Sequence, residues 1–127
     1  MHTPAISACL GVNDLDETIA YYEKLGFQAL PAPPGAHIRV LTYGGEFAFM
    51  LQQTDLLGIW LPPLKDTPPG CCGMHYLAVD DFDAWVDEHR DHIDVIKGPV
   101  DAGSGNVALY FRDLNGYIIG VTQKRQH

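Results

Sequence analysis

The sequence predicts an α+β fold built from two β-α-β-β-β modules. Three observations predict it. "VNDLD" at 12–16 returns as "VDDFD" at 79–83, an offset of about half the chain. Each copy follows an alternating apolar run and leads into an amphipathic stretch. After each stretch come three more strand-like runs separated by turn residues.

The elements follow in order. Residues 6–12 alternate as a strand. Asp14 is a candidate N-cap, and acidic residues fill the first helical turn, where the macrodipole favours them. The helix runs from about 15 to 25, with Leu15, Ile19, Tyr22 and Leu25 spaced for one face. Gly26 ends it, because glycine takes positive φ without steric cost. Strands are expected at 27–31, 37–43 and 46–53, with Gly44-Gly45 as a hairpin turn. Residues 54–72 carry Pro62, Pro63, Pro68 and Pro69 and read as a linker between a first module, 1–53, and a second, 73–127. Such a segment could also fold over a binding cleft. The second module repeats the grammar: strand 74–79, helix 82–90, then strands 93–97, 106–112 and 117–123 with "LNG" at 114–116 as a turn.

Composition narrows the function. Eight Lys+Arg against sixteen Asp+Glu give a formal charge of −8, a field that repels nucleic acid and anionic lipid. No apolar run approaches the ~20 residues needed to cross a bilayer, so no membrane partner is expected. "MHTPAIS" has no basic region followed by an apolar core, so the default location is cytoplasmic. Three cysteines, Cys9, Cys71 and Cys72, argue for reduced thiols over a disulfide framework. Two adjacent thiols without a nearby His make a weak metal motif. "GSG" at 103–105 lacks the context of a phosphate loop, and Ser7, Ser104 and the histidines form no nucleophile-base signature.

"YYEKLGF" at 21–27 and "DLNGYIIGV" at 113–121, set in paired β-α-β-β-β modules, resemble the vicinal oxygen chelate superfamily. This is the glyoxalase / bleomycin-resistance / extradiol dioxygenase group, and the resemblance covers nearly the whole chain. "YYEKLGF" matches the Phe-Tyr-x-x-x-Leu-Gly-Phe signature with one residue fewer, as in bleomycin-resistance-type members. Leu114 replaces the usual Pro of the second motif. The resemblance implies a curved mixed sheet, helices on the convex side and a ligand cup on the concave side.

Strand parity then sorts the residues. Ser7, Cys9 and Gly11 are expected in the cup, as are Ala48, Met50 and Gln52. Met74, Tyr76 and Ala78 join them, with Ile118, Gly120 and Thr122. If Ile38 and Val40 face the core, Arg39, Leu41 and Tyr43 also line the cup, with Tyr110 and Arg112 beside them. Trp60 reads equally as an aromatic lid or as a buried contact.

Enzymes of the superfamily hold a divalent ion on these strands. The matching positions here are Ser7, Met50, Met74 and Gly120. A hard or borderline ion needs carboxylate, imidazole or thiolate donors, so the resemblance carries no metal, no cofactor and no catalytic residue onto this chain. His75 lies one residue from a ligand position, and a register slip would return it to the cup. His89 and His92 sit at helical spacing and read as a solvated face. His2 and His127 are terminal.

The expected function is metal-free binding of an aromatic or hydrophobic small molecule, an antibiotic being one candidate, by a homodimer of the bleomycin-resistance type. The expected ligand-binding residues are Ser7, Cys9, Arg39, Tyr43, Met50, Trp60, Met74, Tyr76, Tyr110 and Ile118. The alternative is a metal-dependent lyase or dioxygenase with a relocated site built from His75, His37 and Glu46. A third reading is an interaction module whose cup is filled by its own side chains.

Overall fold

Both helices of the repeated unit start from the same device. Asp14 is extended and its carboxylate accepts the Glu17 N–H at 2.9 Å. Asp81 does the same for the Ala84 N–H at 3.0 Å. Each bond satisfies a donor that the first helical turn leaves unpaired. Helix α1 spans Leu15–Lys24, and Gly26 follows it at φ 98, where a side chain would be strained.

The computed structural model describes residues 4–70, 73–101, 103 and 105–124. Cys71, Cys72, Ser104, His2 and His127 lie outside them. The chain forms two compact units, Met1–Pro69 and Gly70–His127.

The first unit holds β1 (Cys9–Val12), α1, β2 (Gln28–Ala29), β3 (Ile38–Tyr43) and β4 (Glu46–Gln53). Its sheet runs β1-β4-β3-β2, with β1 parallel to β4 and the other pairs antiparallel. Gly44 and Gly45 both take positive φ in the β3–β4 turn, as a two-residue hairpin of this twist requires. Helix α1 covers one sheet face. Tyr22, at the centre of "YYEKLGF", is 1% exposed and meets Phe27 and Phe49 edge-on, at centroid distances of 5.1 and 5.2 Å. Burial of such a side chain is worth about 1.5–3 kcal/mol, and edge-on pairing adds to it. The motif is therefore a packing unit: the helix stops, and Phe27 folds back onto the ring five residues before it.

The Pro-rich segment is more ordered than a linker reading allows. Thr54–Trp60 form α2, and Pro62–Leu64 make a 3-10 turn. Helix α2 rests on Gly11 of β1: a Cβ there would lie 2.9 Å from Thr54 Cγ2. Gly58 is equally constrained, since its Cβ would fall 3.1 Å from the Lys65 Cα.

The second unit holds β5 (Met74–Val79), α3 (Phe82–His89), β6 (Asp94–Asp101), β7 (Val107–Arg112) and β8 (Ile118–Gln123). The order β5-β8-β7-β6, with β5 parallel to β8, repeats the first sheet. Helix α3 buries Phe82, Trp85, Val86 and His89. Trp85 lies 5.9 Å from Phe111, ring centre to ring centre, on a face completed by Leu109, Ile119 and Val121. Both sheets mix parallel and antiparallel pairs, which gives the expected α+β class. Strand β1 is shorter than the alternation at 6–12 predicted, and β6 is longer. No helix among the described residues is long and apolar enough to cross a membrane.

Candidate functional site

In each unit a helix covers one face of the sheet, so alternation fixes which side chains occupy the other. In the second unit the strand register sets them in rows. Met74, Ile118, Arg112 and Asp94 form one row; Tyr76, Gly120, Tyr110 and Lys97 form the next. The Arg112 guanidinium reaches the Asp94 carboxylate at 3.6 Å.

The second of these rows is shaped by an absence of side chain. A Cβ at Gly120 would lie 2.8 Å from Tyr76 Cε1 and 2.9 Å from Tyr110 Cε1. The two rings therefore lean over the glycine from both sides. They pack near-perpendicular, 6.2 Å apart, and their hydroxyls are bonded at 3.3 Å. That hydrogen bond, and then the charge of Tyr110 when it ionises, hold the Tyr76 hydroxyl above the usual tyrosine range. Tyr76 stays 63% exposed and Met74 38% exposed. The result is an aromatic platform with two hydroxyls at its tip and flexible apolar side chains beside it.

In the first unit the corresponding face carries Cys9, Met50 and Val40 in one row, and Gly11, Gln52 and Ile38 in the next. Cys9 is a free thiol that partial burial pushes up in pKa. Ser7 precedes β1 and is exposed. Trp60, at the end of α2, is 76% exposed.

Strand β3 reverses the expected parity. Arg39 pairs with Leu51 and Leu41 with Phe49, so Arg39 and Leu41 belong to the helix-covered face. Tyr43 joins that face too, its ring 4.8 Å from Phe27. Ile38 and Val40, expected in the core, take the other side; Ile38 is 47% exposed. The run "HIRVLTY" has apolar residues at both parities, and the aromatic cluster around Tyr22 decides between them.

The donor positions implied by the family resemblance do not fit a divalent ion. Met50 and Met74 offer thioethers and Ser7 a hydroxyl. At Gly120 the space a ligating side chain would need is taken by tyrosine rings. The relocated trio fares no better within the first unit. His37 precedes β3, whereas Glu46 pairs with Tyr43 at its far end, roughly 20 Å away at strand rise. His75 sits on the same face as Leu77 and Val79, its ring 6.2 Å from Tyr117. Among the described residues no three of His, Cys, Asp and Glu come together in a way that could hold a metal.

Two mixed β-α-β-β-β sheets with aromatic and thioether side chains on the faces away from α1 and α3 define a class. The family model of the Glyoxalase/Bleomycin resistance protein/Dioxygenase superfamily matches residues 5–121, and the chain belongs to that superfamily. Solved structures share the fold at low identity. A bleomycin resistance determinant encoded on transposon Tn5 is 20% identical, with 98% of this chain and 100% of that one covered and a TM-score of 0.69. A bleomycin-binding protein complexed with bleomycin is 19% identical, covering 97% and 100%, with a TM-score of 0.65. A virulence protein from Salmonella typhimurium is 25% identical, covering 98% and 100%, with a TM-score of 0.71. Comparison with curated proteins gave no match.

Proposed function

We propose that the protein binds an aromatic or hydrophobic small molecule and releases it unchanged, an antibiotic being one candidate, as a homodimer in the cytoplasm. The observation that carries this reading is the Tyr76–Gly120–Tyr110 row on the helix-free face of the second unit. A flat ligand stacks on the exposed Tyr76 ring, while Met74 and Ile118 close around its apolar edge. The paired hydroxyls orient a polar substituent. Cys9 and Met50 give the face of the first sheet away from α1 the same soft character. The formal charge of −8 favours a ligand with cationic groups. Bleomycin binding in a protein of the same fold supports the ligand class.

Calorimetric titration with bleomycin and a panel of flat aromatic compounds tests the proposal. At least one compound saturates a site and is recovered with unchanged mass, before and after chelator treatment. Gly120→Ala displaces the rings and weakens that binding by about tenfold while the melting curve is kept. Absence of any binding, recovery of a transformed compound, or binding lost to a chelator would each overturn the reading. Sedimentation of the purified protein tests the dimer.

A further inference from the structure

A hollow lies on the α1-covered side of the first unit, and none of its lining residues belongs to the tyrosine platform. It has a volume of about 400 Å³ and is lined by Leu15 and Asp16 of α1, the loop 32–37, Arg39 and Gln53. The β3 parity described above is what brings Arg39 there. The guanidinium is fixed, since its Nη2 donates to the Leu30 carbonyl at 3.1 Å. It makes no other hydrogen bond and no ion pair among the described residues; its Nε is buried without a partner. In a chain with twice as many acids as bases, a half-buried arginine left without a carboxylate is a costly arrangement unless something else completes it. Asp16 lines the same hollow and likewise makes no ion pair among the described residues.

Charges of opposite sign thus border one cavity without neutralising each other. We propose that Arg39 and Asp16 form a binding site for a small zwitterion of the α-amino-acid class. The fixed guanidinium offers the Nη N–H groups not used on Leu30 to the carboxylate, and Asp16 accepts from the ammonium group. His37 and the Gln53 side chain line the same hollow, and the Gln53 amide nitrogen donates to Asp55 at 3.4 Å, which leaves its oxygen to accept from a polar side group. The volume leaves room for a molecule of amino-acid size together with its bound water. A simple anion would meet the repulsion of Asp16, and a simple cation that of Arg39, so the pair selects for both charges on one molecule.

The test is an NMR titration of the full chain with L-glutamine, butyrate and butylamine as separate probes. L-Glutamine produces saturable shifts at Arg39 Nε–H and at residues 15–16 and 32–37 below about 10 mM, and the singly charged probes bind at least tenfold more weakly. Arg39→Gln and Asp16→Asn each weaken L-glutamine binding by about tenfold or more. Because Arg39 also braces Leu30, the exposed Asp16→Asn variant keeps the test decisive if Arg39→Gln unfolds. No saturable shift with L-glutamine, or butyrate binding as tightly, would overturn the proposal. Neither outcome bears on aromatic binding at Tyr76, which is read from different resonances.

Discussion

Asp113 fixes the turn that aligns β7 with β8, and removing it should cost more than any single surface bond could. The residue is 7% exposed, and its Oδ1 accepts the N–H groups of both Asn115 and Tyr117 at 2.8 Å. The backbone closes the same loop, Asp113 N–H donating to the Tyr117 carbonyl at 2.8 Å. Hydrogen bonds to a charged group contribute about 1.5–3 kcal/mol each, so Asp113→Ala should lose about 3–6 kcal/mol. That is a large part of the stability of a small domain. Asp113→Asn retains an oxygen where Oδ1 stands, so it should lose about half as much. Urea melts followed by fluorescence in a Trp60→Phe background report the second unit alone, through the buried Trp85. A loss below about 1 kcal/mol for Asp113→Ala would refute the assignment of this carboxylate as the turn's anchor.

Other outcomes follow from the same geometry. In tyrosine-labelled NMR, Tyr76 should titrate above the usual value of about 10, and Tyr110→Phe should bring it down. The sign is that of a raised acid: the bond between the hydroxyls is intact below the unfolded value and is lost as pH rises through the folded one. Platform binding should therefore be flat across neutral pH and fail only in strong alkali. Gly11→Val should lift α2 from β1, because even a Cβ there meets Thr54 Cγ2 at 2.9 Å; protease nicking within 54–64 should rise several-fold.

The repeated unit was legible because its signals are local. Asp14 and Asp81 cap, Gly26 stops a helix, and Gly44-Gly45 turns a hairpin, each within a few residues of its effect. Helix α2 was hidden for the converse reason. It is only 7 residues long, contains Gly58 and has no side-chain N-cap, so its order comes from packing on Gly11 and against Lys65. The face of Arg39 was equally illegible, since the choice between two apolar parities is made by Tyr22, Phe27 and Phe49. The tyrosine pair was half visible: parity put Tyr76 and Gly120 on one side, but only the register brings Tyr110 across the glycine.

The bare backbone at Gly120 has a bearing on substitution. A larger side chain there requires both tyrosine rings to move aside, and each ring is bonded to the other through its hydroxyl. Positions 76, 110 and 120 are thereby tied to one another, and a change of size at any one of them has to be answered at the other two.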